Sequence, residues 1–222
     1  MSLLEKNLNA LLQSNGMEKV AILNRYQVSD YYQLTLAQLN QLCTELNCSL
    51  ENLLLFPQFV ERERLRKIKL LILDVDGVMT DAGMFFTESG DQIKKYNAKD
   101  GMAIMALTKS DFQVGIISSG YKLEMVKARA DLLRIQHLYV GRDPKMTILM
   151  DWCSTMGISL DEVAIIGDDI NDLDVIQNVG FSACPSDAVS KIKRQVDLVL
   201  QAKGGKGCVR EFIDQYLLDQ PV

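Results

Sequence analysis

From residue 68 onward the sequence alternates short apolar runs with stretches of helical periodicity, and this alternation limits the fold more than any other feature. The apolar runs are rich in Val, Ile and Leu and have the length of buried strands. Continuous apolar strands separated by helices indicate an α/β fold with a parallel sheet covered on both faces. The predicted strands are 68–75, 114–118, 137–140, 163–167, 180–183 and 197–200. The predicted helices are 102–110, 123–133, 144–156 and 171–179.

One segment just after the first strand breaks this alternation. Residues 83–87 and 92–97 flank the sequence Glu88-Ser89-Gly90-Asp91, a cluster of turn-forming residues. Two short strands around such a cluster are typical of a β-hairpin. We therefore expect a β-hairpin to project from the chain directly after the first strand of the sheet.

The N-terminal part of the chain shows no strand pattern and is expected to be helical. Leucines recur at helical spacing near its start and near its middle, and Thr35 and Ser49 are suitable N-cap residues. The highly charged segment 59–69 then precedes the first apolar strand. We therefore expect a small all-α module over residues 1–66, followed by the α/β domain over residues 67–222.

The composition excludes several classes of protein. Of the 222 residues, 48% are hydrophobic, which excludes a disordered chain, and no apolar run approaches the roughly 18 residues of a membrane span. The cysteines show no CxxC spacing, so the reducing cytoplasm is the simplest location. A pI near 5.0 argues against nucleic acid as the main partner. Because His137 is the single histidine, carboxylates and lysines must carry most of any chemistry.

Acidic residues follow the first and the fourth predicted strand. Asp74 and Asp76 come after the first strand, and Asp168 and Asp169 come after the fourth. Parallel sheets place their sites at the carboxyl ends of the strands, so these side chains are expected to meet. Crowded carboxylates repel one another and need a cation, and Mg²⁺ prefers oxygen ligands. The sequence therefore predicts a magnesium pocket, while Asp169 or Asn171 is also expected to cap the following helix.

Three further features could hold a phosphate group beside that metal ion. Gly77 permits a tight turn with free backbone N–H groups. Ser118 and Ser119 end the second strand, and Lys145 stands at the start of a helix. A hydroxyl and an ammonium suit phosphate, although such residues are more often a helix cap and a surface lysine. The order DxD, Ser, Lys and GDD, each after a strand or at a helix start, favours the functional interpretation.

With these motifs in this order, residues 68–218 resemble the haloacid dehalogenase superfamily of phosphotransferases. Within it they are most similar to the capless 3-deoxy-D-manno-octulosonate 8-phosphate phosphatases and the related sialic-acid-type sugar phosphatases. The resemblance is carried by DVDGVMTDAGMFFTESGDQIKKYNAKDG, VGIISSG, HLYVGRDPK, VAIIGDDINDLDVI and GGKGCVREFIDQYLL. It implies a Rossmann-like core without a cap domain and a Mg²⁺-dependent phosphatase that acts on a phosphorylated sugar. It also implies a homotetramer, in which hairpins meet and the Gly204-Gly205-Lys206-Gly207 tail covers a neighbour's pocket.

The resemblance implies a role for each residue of the core motifs. Asp74 would be the nucleophile that forms an aspartyl-phosphate, and Asp76 would act first as general acid and then as base. The metal ion would be held by the carboxylates of Asp74 and Asp168 and by the backbone carbonyl of Asp76. Ser118 and Lys145 would bind the phosphoryl oxygens and stabilise the charge of the transition state.

The supporting positions leave the substrate open. By the same resemblance, Asp169 would support the metal shell or orient the phosphate-binding lysine. Lys99 and Lys206 stand where the family often has Arg, and Ser119-Gly120 stands where it often has Gly-Arg. A lysine does not reproduce the bidentate fork that arginine offers to a sugar carboxylate. We therefore expect 3-deoxy-octulosonate 8-phosphate, a sialic-acid-type 9-phosphate or another sugar phosphate as the substrate.

A second resemblance raises an alternative function. Residues 34–56 resemble the last two helices of Cro/repressor-type helix-turn-helix domains, and residues 17–32 would then have to supply the recognition helix. The protein would be a DNA-binding regulator whose second domain senses a sugar phosphate. Lys19 and Arg25 are a thin supply of cations for phosphate contacts. We therefore favour the phosphatase, with a helical appendage that packs on it or aids assembly.

Overall fold

The computed structural model of the protein describes residues 2–57, 62–90, 92–110, 112–120 and 122–218. Asp91 of the predicted hairpin turn and residues 58–61 of the charged segment lie outside these ranges. The described residues divide into two compact units, one within 1–60 and 197–199 and the other within 61–196 and 200–222. The domain division into residues 1–66 and 67–222 stays a prediction.

The N-terminal unit is built from helices. They are α1 (Leu3–Ser14), α2 (Lys19–Tyr26), α3 (Leu36–Glu45) and α4 (Leu50–Leu55). The side chains of Thr35 and Ser49 cap α3 and α4, as their positions predict. Leucines from these helices form a buried core. The buried amide of Asn7 donates to the carbonyl oxygens of Leu53 and Phe56 at 2.8 and 2.7 Å, which links α1 to the end of α4.

The second unit is an α/β domain, which confirms the predicted fold class. It begins with a short helix, α5 (Arg62–Leu65). The strands of the described residues are β1 (Leu70–Leu73), β2 (Phe85–Phe86), β3 (Gln92–Ile93), β4 (Gln113–Ser118), β5 (His137–Val140), β6 (Val163–Ile166), β7 (Phe181–Cys184) and β8 (Leu198–Val199). Six of them form one sheet in the order β5-β4-β1-β6-β7-β8. β1 pairs in parallel with β4 and β6, and all its residues are buried, as expected for a strand covered on both faces.

Helices alternate with these strands. They are α6 (Ala98–Lys109), α7 (Leu123–Leu132), α8 (Lys145–Met156), α9 (Leu173–Asn178), α10 (Ser190–Lys193) and α11 (Cys208–Phe212). Helix α6 starts earlier than predicted because the Asn97 side chain accepts hydrogen bonds from the backbone N–H groups of Lys99 and Asp100. No helix of the described residues is long and apolar enough to cross a membrane.

The predicted β-hairpin is present between β1 and α6. Its strands β2 and β3 pair antiparallel, with Phe85 opposite Ile93 and Phe86 opposite Gln92. The strands are shorter than predicted, since only these two pairs belong to the ladder. Side chains alternate between the two faces of a strand, so Phe85 and Ile93 share one face of the hairpin and Phe86 and Gln92 share the other.

The parallel register brings four strand ends to one edge of the sheet. Leu73 lies opposite Ile166 on β6, and Ser118 lies opposite Val140 on β5. The loops that follow β1, β4, β5 and β6 therefore converge at this edge, where open parallel sheets bind their ligands.

Candidate active site

Asp74 and Asp76 lie in a tight turn that follows β1. The strand ends at Leu73, so the turn that follows it determines where the two carboxylates lie. Gly77 adopts φ +94°, a left-handed conformation that favours glycine. A Cβ atom at Gly77 would lie 2.0 Å from Oδ2 of Asp168. Glycine is therefore required here for the turn and the Asp168 carboxylate to occupy neighbouring positions.

Three carboxylates meet at this turn. Asp74, Asp168 and Asp172 each offer an oxygen atom within 4.8 Å of the others. Asp172 is fully buried, and its Oδ2 accepts a hydrogen bond of 3.1 Å from the backbone N–H of Asp168. Three oxygen donors at this separation fit a hard divalent cation such as Mg²⁺. The predicted metal pocket thus contains Asp74 and Asp168, together with Asp172, which the sequence interpretation missed.

Lys145 joins two of these carboxylates. Its Nζ donates to Oδ1 of Asp74 at 2.5 Å and to Oδ1 of Asp172 at 2.6 Å, and its side chain is only 4% exposed. A buried ammonium is tolerated when it is paired and fully hydrogen-bonded. The sequence interpretation let Asp169 either support the metal shell or orient Lys145. In the structure, the carboxylates that bond to the Lys145 ammonium are those of Asp74 and Asp172.

Burial and mutual repulsion raise the pKa values of the carboxyl groups. Burial, together with the charges of Asp74 and Asp172, raises the pKa of Asp168 to about 8. Burial also raises the pKa of Asp74 to about 7, with Asp172 adding and Lys145 opposing. Burial alone would lower the pKa of Lys145, but the charges of Asp74 and Asp172 raise it. The carboxylates of the site therefore need a bound proton or a cation to neutralise part of their negative charge.

Ser118 and Ser119 lie at the same edge of the sheet, where the sequence predicts them. Ser118 is buried, and its Oγ accepts a hydrogen bond of 3.2 Å from the backbone N–H of Gly120. The Ser119 hydroxyl oxygen accepts a 3.0 Å bond from the side-chain amide of Asn171. Both serines line an open cavity of about 450 Å³ that also contains Asp74, Asp76 and Asp168.

The hairpin supplies another wall of this cavity. Met84, Phe86, Gln92 and Lys94 line it from alternate positions of the two hairpin segments. The ammonium of Lys94 contacts Oδ1 of Asp76. The sequence interpretation missed Lys94. The signal that could have found it is the alternation of side chains, which places Lys94 on the same face of the hairpin as Gln92, two residues earlier.

The remaining supporting residues lie at the margin of the site. Asp169 lines the cavity, but its carboxylate accepts a 2.7 Å hydrogen bond from the backbone N–H of Ile170. Asp169 is thus the N-cap of the short 3-10 helix Ile170–Asp172 that precedes α9, as expected for Asp169 or Asn171. Lys99 is exposed at the start of α6. Lys206 is also exposed, and its Nζ lies 3.6 Å from Oδ2 of Asp81.

The glycine-rich tail packs against the turn that carries Asp76. The backbone N–H of Gly205 donates to the carbonyl oxygen of Val78 at 2.9 Å. A Cβ atom on Gly204 would lie 1.9 Å from the carbonyl oxygen of Gly77. The two backbones therefore approach so closely that Gly204 has no room for a side chain.

Comparison with known proteins gives related phosphatases. Residues 137–212 match the haloacid dehalogenase-like hydrolase family. The 3-deoxy-D-manno-octulosonate 8-phosphate phosphatase KdsC of Yersinia pestis is 38% identical over 158 residues, which cover 71% of this chain and 84% of that protein. The KdsC phosphatase of Salmonella typhi is 38% identical over 153 residues, which cover 69% of this chain and 81% of that protein.

Solved structures agree with this result. The crystal structure of the Yersinia pestis phosphatase matches with a TM-score of 0.69 and 37% identity, over 72% of this chain and 85% of that chain. The Moraxella catarrhalis phosphatase in complex with a magnesium ion, a phosphate ion and a KDO molecule matches with a TM-score of 0.69 and 31% identity, over 72% and 91%. These comparisons do not support the helix-turn-helix resemblance of residues 34–56. The chain belongs to the haloacid dehalogenase superfamily and, within it, to the KdsC family of 3-deoxy-D-manno-octulosonate 8-phosphate phosphatases.

Proposed function

We propose that this protein is a Mg²⁺-dependent phosphatase that hydrolyses a phosphorylated sugar acid through an aspartyl-phosphate. The observation that carries the proposal is the group of Asp74, Asp168 and Asp172 carboxylates within 4.8 Å of one another, with Lys145 bonded to two of them. We propose 3-deoxy-octulosonate 8-phosphate as the first candidate substrate, because relatives are named for it. The other candidates are a sialic-acid-type 9-phosphate and another sugar phosphate.

In this proposal Asp74 attacks the phosphorus atom. Lys145 orients its carboxylate, and Ser118, Lys145 and the backbone N–H groups of the Gly77 turn bind the phosphoryl oxygens. A carboxylate is a sufficient nucleophile because phosphoryl transfer depends mainly on alignment and on neutralisation of charge. The bond between phosphorus and the sugar oxygen breaks, which leaves an acyl phosphate on Asp74 and releases the sugar.

Asp76 is the residue that donates and accepts protons in the two half-reactions. It gives a proton to the leaving sugar oxygen as the P–O bond breaks. It then accepts a proton from the water that attacks phosphorus, which breaks the bond to Asp74, releases inorganic phosphate and regenerates the carboxylate. The carboxylates of Asp74, Asp168 and Asp172 and the carbonyl of Asp76 are the proposed ligands of Mg²⁺, which when bound neutralises charge on the phosphoryl oxygens. Supporting roles for Asp169, Ser119, Lys99 and Lys206 stay predictions.

A screen of phosphate esters tests the proposal. We expect phosphate release from phosphorylated sugar acids in the presence of Mg²⁺, at a higher kcat/KM than from simple hexose phosphates, and no release after chelation with EDTA. The screen should include the 8-phosphate of 3-deoxy-octulosonate and a sialic acid 9-phosphate. If no ester releases phosphate in the presence of Mg²⁺, the proposed function is wrong.

Mg²⁺ is expected to raise the melting temperature more at pH 8 than at pH 6. The pKa of Asp168 is about 8 in the folded protein, far above the value of about 4 in an unfolded chain. Without metal, its contribution to stability is therefore present at low pH and is lost as the pH rises toward 8. Because metal binding requires ionised carboxylates, protons compete with Mg²⁺ at pH 6. Scanning calorimetry should show a gain of about 5 °C at saturating Mg²⁺ and pH 8.

We further propose that the protein self-associates as a homotetramer through the outer face of its hairpin. Phe85 and Ile93 are paired across the hairpin, and they are 64% and 57% exposed. A two-stranded hairpin with apolar side chains in water is marginally stable by itself. Hairpins of neighbouring copies would cover these side chains and stabilise the cavity wall on the opposite face.

Replacing Phe85 and Ile93 together by Ser is expected to convert the tetramer into smaller species. The substitutions remove apolar area from the proposed contact without touching the carboxylate cluster. Light scattering coupled to size-exclusion chromatography measures the mass in solution. Leu132→Ser on α7 is the matched control, since this leucine is also 64% exposed. A monomeric unsubstituted protein would contradict the proposed assembly.

Two predictions about the rest of the chain also stay proposals. The helical module of residues 1–66 is proposed as an appendage that packs on the phosphatase domain or aids assembly. The cytoplasm is the proposed location, on the grounds of the cysteine usage.

A further inference from the structure

We propose that Lys94 is a positioning residue whose ammonium holds the Asp76 carboxylate and so couples the β-hairpin to proton transfer at the leaving oxygen. The inference rests on the proposed function, because it takes Asp76 as the group that protonates the leaving sugar. It adds a residue from outside the strand-end motifs to the catalytic arrangement.

The Lys94 side chain is largely removed from water, whereas the Asp76 side chain is 24% exposed toward the cavity. The Lys94 side chain is 6% exposed although it carries a charge, and its Nζ contacts Oδ1 of Asp76. An ammonium in such surroundings needs a counter-charge, because an unpaired buried charge is strongly disfavoured. The hydroxyl of Thr80 also lies 3.5 Å from the same carboxylate oxygen. These contacts restrict the directions in which the Asp76 carboxylate can point.

The same contact fixes the base of the hairpin. Lys94 directly follows β3 and lies 18 residues after Asp76 in the chain. At the other end of the hairpin, Nζ of Lys122 donates to the carbonyl oxygen of Gly90 at 3.0 Å. The cavity wall formed by Phe86 and Gln92 lies between these two links. A shift of the hairpin therefore moves the partner of Asp76 as well as the wall that faces the sugar.

The two acids of the DxD motif thus contact different lysines. Lys145 bonds to Asp74, and Lys94 contacts Asp76. In the proposed reaction these two acids do different work, attack on phosphorus and proton transfer. We therefore infer that loss of Lys94 impairs proton transfer to the leaving oxygen and leaves the attack by Asp74 intact.

The test compares two leaving groups in the first turnover, with enzyme in excess over substrate. The p-nitrophenolate of p-nitrophenyl phosphate leaves without a proton, whereas the alkoxide of a sugar phosphate needs one. For Lys94→Met we expect cleavage of the sugar phosphate to slow about 30-fold and cleavage of p-nitrophenyl phosphate to slow less than about 3-fold. Lys94→Arg should recover most of the sugar-phosphate rate. Lys95→Met, a change at the exposed neighbouring lysine, should leave both rates unchanged.

A double-mutant cycle with Asp76→Asn completes the test. If Lys94 acts through Asp76, Lys94→Met should not slow sugar-phosphate cleavage further in the Asp76→Asn background. Equal slowing with both leaving groups, or multiplicative losses in the double variant, would overturn the inference. Circular dichroism shows whether each variant is folded, and Lys94→Arg provides a second variant if Lys94→Met is not. An inactive unsubstituted enzyme would refute the proposed function itself, whereas an unimpaired Lys94→Met enzyme would refute only this inference.

Discussion

Asp74→Asn is expected to lower Mg²⁺-dependent phosphate release by at least about 10³-fold, with the fold retained. The amide is nearly isosteric with the carboxylate, but it cannot attack phosphorus to form the aspartyl-phosphate. The substitution also removes one of the three carboxylates that meet within 4.8 Å. The measurement is the initial rate with the most active sugar phosphate and with p-nitrophenyl phosphate.

The stability of the same variant distinguishes loss of chemistry from loss of fold. Burial raises the pKa of Asp74 to about 7, so its charged form is unfavourable in the metal-free protein. A neutral amide avoids that cost, and we expect the metal-free Asp74→Asn protein to melt no lower than the unsubstituted protein at pH 8. Asp151→Asn, at an exposed acid on α8, is the control and should be fully active. Full activity of Asp74→Asn would refute the nucleophile assignment.

The sheet could be predicted because burial on both faces demands uninterrupted apolar sequence. β1 is buried along its whole length, and β6 is equally apolar and buried. The hairpin was harder to delimit, since strand-like residues extend beyond the two pairs that form its ladder. Side-chain composition reports whether a segment suits a strand, but the number of ladder pairs depends on how the two segments meet.

The site was predictable where residues directly follow strands. Asp74, Ser118 and Asp168 were expected together because parallel strands end at one edge, and the structure brings them together around one cavity. Asp172 was missed because its place depends on the turn that follows β6. A Cβ atom on Gly167 would lie 2.7 Å from the Asp172 carboxyl group, so this turn folds tightly back over the strand end.

Lys94 was missed for a different reason. The alternation of side chains places it on the same face as Gln92, but alternation does not say which way that face turns toward the sheet. The family resemblance implies that hairpins of neighbouring copies meet, which concerns the outer face of the hairpin. Only the tertiary structure shows that its inner face contacts Asp76.

Lys145→Met is expected to abolish phosphatase activity and to lower the free energy of unfolding by about 3 kcal/mol at pH 8 in the absence of metal. The ammonium bonds to Asp74 and Asp172 from a position that is 4% exposed, so its removal leaves two buried carboxylates without this counter-charge. The measurement is urea unfolding of the metal-free protein at two pH values. Lys127→Met is the control, because this exposed lysine pairs with Asp131 on the surface and should change stability by less than about 0.5 kcal/mol.

The loss of stability in Lys145→Met is expected to be smaller at pH 6 than at pH 8. Without the ammonium, the carboxyl pKa of Asp74 rises further, so the folded variant keeps a proton that the unfolded chain releases. A group of this kind stabilises the fold at low pH and loses that contribution as the pH rises through its folded pKa. Adding Asp172→Asn removes one of the two buried charges and should recover part of the stability at pH 8 without restoring activity. An equal loss at both pH values, or no recovery in the double variant, would show that the buried lysine does not serve as the counter-charge of this site.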